Sequence, residues 1–307
     1  MNSRRKVTIF GAGEVGAAAA MFIARRDSLG VILVDADGAL AESAAADIAE
    51  AAPLLGYEPD VMGSADPAVA AGSEVVVIAA GNRPGDTRSR KDLLRKNSEI
   101  VTEICHGVME RCPNACVVVL TEPLDQTCEL VARTTQFPRA RLIGVSGVID
   151  SARWSSMVAL KLGVSVGDVG ALVMGGRGEE IVPLESRLTV SGVAATELIA
   201  REVLDQIVAE VRARALLDDA RSVRFSAAAA AAEIVDSICF DRGRVLSCHA
   251  LLLGEYGVDG LFMGAPVRLG ADGIQQILEL ELSFSERAGF EHAAAAARRS
   301  VDELAPL

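Results

Sequence analysis

The stretch Lys6–Asp37 reads KVTIFGAGEVGAAAAMFIARRDSLGVILVDAD, and its spacing decides the fold. Val7, Thr8, Ile9 and Phe10 form a short apolar run of the kind that a parallel sheet buries on both faces. Gly11, Gly13 and Gly16 follow as G-x-G-x-x-G, with Glu14 and Val15 between the last two. In such a turn the first glycine allows the tight bend, the second lets the backbone approach a diphosphate, and the third lets the next helix pack closely on the strand. That helix opens with good formers, Ala17–Ala20 and Met21, and directs free N–H groups and a positive dipole end at the phosphates. Val31–Val34 then run into Asp35, about twenty positions beyond the glycines, where a carboxylate binds a ribose 2′-hydroxyl and repels a 2′-phosphate. A lone glycine motif is weak; the strand before it, the helix after it and the acid beyond it together predict a site for NAD rather than NADP. Asp37 adds to the same bias or is simply a solvated turn residue.

Outward from this unit the alternation of strand and helix continues, as a doubly wound sheet requires. Ala39–Ala52 reads as a helix stopped by Pro53, and Ser73–Ala80 as a buried strand ending at Gly81. Asn82–Arg90, NRPGDTRSR, is a Gly-, Pro- and Arg-containing loop at the C-terminal edge of that strand, the edge that faces the ligand crevice, and so is a candidate lid. Helices are expected over Lys91–Arg111 and Leu124–Thr134, and strands over Cys116–Leu120 and Arg141–Val145. Gly144–Gly147 reads as a junction between a dinucleotide-binding domain, 1–146, and a second domain, 147–307.

The second half predicts a helix over Asp150–Leu162 and strands over Val169–Met174, Ile181–Leu184 and Leu188–Val190. One long helix is expected over Thr196–Leu217, an alanine-rich one over Phe225–Cys239, and a closing one over Ser283–Leu304. Val245–Leu253, Gly260–Met263 and Ala265–Leu269 read as antiparallel strands joined by glycine turns. Grouped strands flanked by long helices imply an α+β substrate domain.

Half of the 307 residues are hydrophobic, enough for a full core, and the net charge of -12 gives no support for nucleic acid or a membrane surface, both of which need clustered basic residues. No run reaches the roughly 18 uninterrupted apolar residues of a membrane helix. Met1 leads through Arg4, Arg5 and Lys6 straight into the first strand without an apolar leader, so a cytoplasmic protein is expected. Cys105, Cys112, Cys116, Cys128, Cys239 and Cys248 form neither a CxxC pair nor a zinc pattern; buried reduced thiols and no metal site are expected.

The glycine turn with Asp35, SRKDLLRKN (Ser89–Asn97), EPLD (Glu122–Asp125), GVIDSARW (Gly147–Trp154), MGGRGEEIVPL (Met174–Leu184) and the GEYG…GAPVRLG ending (Gly254–Gly270) together resemble the malate/lactate dehydrogenase family, in particular its lactate dehydrogenase-like malate dehydrogenases. The likeness spans essentially the whole chain in order. It implies a Rossmann doubly wound parallel sheet followed by an α+β substrate domain, a small-molecule substrate, and a homodimer or homotetramer. Candidate cofactor-binding residues are Gly11, Gly13, Glu14, Val15, Gly16, Asp35, Gly81 and Asn97. By resemblance, Arg90 in the mobile loop polarises the substrate carbonyl, Asp150 orients the catalytic histidine, and Arg153 forks the substrate carboxylate. Arg83 or Arg88 could select the substrate if the loop shifts, the matching position itself being Pro84.

Two residues depart from the family. Arg177 stands where its catalytic histidine belongs, and arginine stays protonated above pH 12 and cannot act as a base. Glu122 stands where an asparagine belongs, and it would repel a 2-oxo acid and attract a cation. Arg177 can pair with Glu122 or with Asp150. His106, His249 and His292 fall elsewhere and read as structural or solvated. Three readings follow: an NAD-dependent oxidoreductase with an altered site and a non-standard substrate such as an imine, whose reduction needs no proton in the hydride step; a catalytically silent NAD-binding homologue acting as sensor or partner; or an ordinary malate dehydrogenase.

Overall fold

The structure is a computed structural model that describes residues 4–26, 28–82, 87, 89–218 and 224–304. In chain order the first half is β1 (Arg5–Phe10), α1 (Glu14–Ala24), β2 (Leu29–Val34), α2 (Gly38–Leu55), β3 (Val61–Ser64), β4 (Val75–Ile78), α3 (Arg90–Arg111), β5 (Cys116–Val119), α4 (Leu124–Thr135) and β6 (Leu142–Gly144). The second half is α5 (Gly147–Leu162), β7 (Val169–Gly170), β8 (Val173–Gly175), β9 (Ile181–Pro183), β10 (Thr189–Val190), β11 (Val193–Ala194), α6 (Ala195–Leu198), α7 (Arg201–Asp218), α8 (Phe225–Cys239), β12 (Arg244–Leu253), β13 (Asp259–Gly270), β14 (Gly273–Ile277) and α9 (Phe284–Asp302).

Strands β3-β2-β1-β4-β5-β6 lie side by side in that order and run parallel, which is the doubly wound arrangement with its crevice between β1 and β4. The sheet does not end there. His249 of β12 pairs with Gly144 of β6, so β12, β13, β8 and β9 extend the same sheet in antiparallel fashion across the expected junction at 146/147. A smaller sheet holds β11, β10 and β7.

The small residues of α1 serve close packing. Ala19, Ala20 and Ile23 are buried against the alanine face of α8, which includes Ala228, Ala231 and Ala232. Gly16 is forced: a Cβ there would lie 1.8 Å from the carbonyl oxygen of Gly11. Gly16→Ala is therefore expected to push α1 off the turn, costing about 3 kcal/mol, the upper end for overpacking; urea denaturation measures it. All six cysteines are buried and free. Burial pushes the Cys105 thiol up to about 12 and that of Cys116 up to about 11, so they pack as small hydrophobes.

Several expectations need correction. Pro53 does not stop α2, which continues to Leu55 and ends at Gly56 in the left-handed region; in the last turn a proline removes only one backbone bond. The helix expected over Thr196–Leu217 is two, α6 and α7, because Ile199 is extended (φ -124°, ψ 129°). Val169–Met174 is split between β7 and β8 in different sheets. Gly264 is not a turn: β13 runs unbroken through it, and its missing side chain admits the carbonyl of Gly175 at 2.7 Å from where a Cβ would be. Strands β3 and β14 were not expected at all.

Candidate active site

The glycine turn closes on the end of β4. Gly11 has φ +104°, and a Cβ there would lie 2.6 Å from the backbone nitrogen of Ala80, so the two strand ends meet as only glycine allows. Gly13 is the N-cap of α1 and Glu14 its first residue. Asp35 braces the turn, its Oδ2 accepting from the Ala12 backbone N–H at 2.7 Å and its Oδ1 from that of Asp37 at 3.0 Å. A cleft of about 940 Å³ follows the sheet edge, lined by Gly11, Gly13, Glu14, Val15, Gly16, Asp35 and Gly81 from the turn side. Glu122 and Arg177 line it as well. The cradle of bare backbone, the helix N-terminus and the carboxylate fit NAD. Asp35→Ala is expected to weaken NADH binding by about 10–100-fold, the value of hydrogen bonds to a charged group; fluorescence titration checks it, and an unchanged affinity would remove Asp35 from the site.

Asn97 stands apart from the other candidate cofactor residues. It is buried, its Oδ1 accepts from the Asn82 backbone N–H at 2.7 Å, and its Nδ2 donates to the carbonyls of Asn82 (3.1 Å) and Glu122 (2.8 Å). It clamps two loops and does not line the cleft. His106, in contrast, lines the cleft, as do Ala79, Thr121, Val145 and Ile149, none of which carries a sequence signal.

The reacting end is built from three elements. The loop after β8 places Arg177, and it is tight because Gly175 and Gly176 admit Glu180: the Gly176 N–H donates to the Glu180 carbonyl at 2.8 Å, and a Cβ on Gly175 would sit 2.5 Å from that oxygen. The loop after β5 places Glu122, whose Oε2 accepts from the Leu124 N–H at 2.9 Å. Helix α5 places Asp150 and Arg153 three residues apart on one face, where they are hydrogen-bonded to each other.

These residues converge. Arg177 donates from Nη2 (3.1 Å) and Nε (3.3 Å) to Glu122 Oε1, and its Nη1 lies 3.6 Å from Asp150 Oδ2. Both partners left open by the sequence are thus used. Asp150 is fully buried, the two arginine side chains are 13% exposed and Glu122 is 29% exposed, so among the described residues two carboxylates and two guanidiniums meet in a largely desolvated place. Glu122 and Arg177 also border a second cavity of about 550 Å³ walled by Leu93, Leu216, Ala293 and Ala297. The side chain of Arg90, and Arg83, Pro84 and Arg88 altogether, lie outside the described residues.

His249 is buried beneath this end, its Nε2 2.7 Å from Asp125 Oδ1 and its Nδ1 2.9 Å from Ser146 Oγ, so it ties β12 to α4 and to the start of α5. His292 is exposed, 3.7 Å from Glu180. Among the described residues no cluster of three or more His, Cys, Asp or Glu side chains could hold a metal ion, and no helix is long and apolar enough to cross a membrane.

A doubly wound sheet with a cleft at its switch point, continued by a second α/β unit whose Arg177 also lines that cleft, is the architecture of a two-part dinucleotide-binding protein. The chain belongs to the lactate/malate dehydrogenase family: residues 5–144 match the lactate/malate dehydrogenase NAD binding domain and residues 148–305 the lactate/malate dehydrogenase alpha/beta C-terminal domain. It is 40% identical over 310 residues to a malate dehydrogenase of Thermomicrobium roseum, covering 99% of each protein. The fold is similar to that of malate dehydrogenase from Salinibacter ruber (TM-score 0.92, 36% identity, 98% of each chain). It is also similar to that of lactate dehydrogenase from Cryptosporidium parvum complexed with lactic acid and nicotinamide adenine dinucleotide (TM-score 0.93, 31% identity, 100% of each chain). NAD is the cofactor.

Proposed function

We propose that the chain is an NAD-dependent oxidoreductase acting on a small 2-hydroxy or 2-oxo acid, malate and oxaloacetate first among them, with Arg177 and Glu122 as its reacting centre. The observation that carries this reading is the hydrogen-bonded Arg177–Glu122 pair lining the NAD cleft, beside the Asp150–Arg153 clamp. The names of the relatives favour malate as the first substrate to test.

Bound NAD supplies the hydride acceptor. Arg153 takes the substrate carboxylate through two parallel N–H bonds, and buried Asp150 fixes the fork of that guanidinium. Arg177 donates to the reacting oxygen and stabilises the charge that develops there. It cannot yield its proton, so Glu122, hydrogen-bonded to it, takes the hydroxyl proton as the C–H hydride leaves, and returns a proton in the reverse direction. A carboxylate is a weaker base than imidazole, so turnover is slow beside that of a histidine enzyme.

The pairing bears on the other readings. Arg177 offsets the charge of Glu122, which weakens the attraction of a protonated imine. The same ion pairs fill the reacting centre, and this favours, as a second reading, a silent NAD-binding homologue. Hydride transfer with malate, lactate, their oxo acids and a cyclic imino acid, run beside NADH binding, separates the three. Turnover of the acids supports the first reading, imine turnover alone supports the non-standard substrate, and bound NADH with no turnover supports the silent homologue. A cytoplasmic homodimer or homotetramer belongs to the same proposal, and analytical ultracentrifugation tests the oligomer.

A further inference from the structure

Glu14 is the first residue of α1, inside the turn that receives the diphosphate of the cofactor, and it lines the cleft. A carboxylate there is repelled by the diphosphate unless a cation accompanies it. The cation is Arg224, whose Nε lies 3.0 Å from Glu14 Oε2. Arg224 is the N-cap residue of α8, the helix that packs along α1, and Ala227, three residues further on, also lines the cleft. The side chains of Arg224 and Glu14 are 49% and 38% exposed, so the pair has room to rearrange, with Glu14 as its member that lines the cleft.

We infer that Arg224 is a diphosphate-binding residue, held at the glycine turn by Glu14 and presenting its guanidinium to the phosphate oxygens of the dinucleotide. An arginine carries five N–H donors in a planar fork, and the contact to Glu14 through Nε engages one edge of it. Charge-assisted bonds to phosphate are the strong ones. Glu14 thereby acts as a positioning residue: it holds an arginine of the second half of the chain over a turn in the first half. Nothing in the linear sequence marks this pair, since the residues are 210 positions apart and Arg224 precedes an unremarkable alanine run.

Calorimetric titration with ADP, which has the diphosphate, and with adenosine, which lacks it, tests the inference in a double-mutant cycle of Glu14→Gln and Arg224→Ala. The exposed position of both side chains leaves the fold intact, and thermal melting of each variant checks this. Arg224→Ala is expected to weaken ADP by about tenfold, as a lost charged hydrogen bond does, to leave adenosine within about twofold, and to cause a smaller but measurable loss of ADP affinity in the Glu14→Gln background, where the arginine is less firmly held. NADH titrated by fluorescence follows ADP, and the loss shrinks at high salt. An unchanged ADP affinity on adding Arg224→Ala to Glu14→Gln would overturn the inference, because the arginine would then serve only to neutralise Glu14. An equal loss for adenosine would overturn it too.

Discussion

Replacing Arg177 by histidine and Glu122 by asparagine together is expected to raise kcat/KM for oxaloacetate reduction by about 10²–10⁴-fold, the usual value of a positioned proton shuttle. The geometry favours the exchange. A histidine at 177 would stand beside the buried carboxylate of Asp150, whose Oδ2 is now 3.6 Å from Arg177 Nη1, and a carboxylate so placed orients imidazole and stabilises its charged form. Arg177→His alone should gain less, and Glu122→Asn alone should lose activity because it removes the base. Arg177→His alone leaves Glu122 without its guanidinium and facing the substrate carboxylate. Glu122→Asn alone leaves Arg177 paired to Asp150 and unable to give up a proton. The two changes touch one hydrogen-bonded network, so their effects are not additive. Steady-state assays of NADH oxidation measure all four proteins. A double variant that binds NADH yet gains nothing would show that the pocket is not shaped for a 2-oxo acid.

Asp150→Ala is expected to destabilise the fold by about 3–5 kcal/mol, the cost of leaving buried charge without its partner. Asp150 is fully buried and lies against both Arg153 and Arg177, so its removal takes a buried carboxylate from two largely desolvated guanidiniums. Adding Arg177→Leu to Asp150→Ala removes one of those guanidiniums, and the double variant should be less destabilised than the sum of the two single changes. Urea denaturation gives the four stabilities. Strict additivity would mean that the 3.6 Å contact carries no energy.

The glycine turn was legible in the sequence because its demands are local: Gly11 and Gly16 are required by contacts within the turn and with the end of the neighbouring strand, and Asp35 braces the same turn. The parallel half of the sheet followed from the alternation of buried runs with helices. What failed locally failed where long-range contacts decide. Strand β3 contains Gly63, which breaks any apolar pattern, yet a Cβ there would lie 2.1 Å from the carbonyl of Ala41, so the glycine is a packing requirement of α2. The extended Ile199 and the through-running Gly264 depend on partners that the linear pattern does not name.

The site shows the same division. Arg153 and Asp150 are recognisable as a pair through the resemblance of GVIDSARW to the family, and in the fold they lie one helical turn apart. Arg177 and Glu122 were recognisable as departures from the family, but whether they meet depends on two loops 55 positions apart. Asn97 is read from its family context as a cofactor residue, and in the fold its amide joins the loops that carry Asn82 and Glu122, contacts that no linear pattern names. The buried Asp125–His249–Ser146 chain likewise draws on three segments that only the tertiary fold brings together.

The reacting centre is tested most directly by malate oxidation in the natural protein and in Glu122→Gln, which keeps the side-chain shape and removes the base. The expected result is a fall in kcat of about 10²-fold or more with NAD affinity unchanged. Equal rates in the two proteins, or no malate oxidation by either while NADH binds, would contradict it.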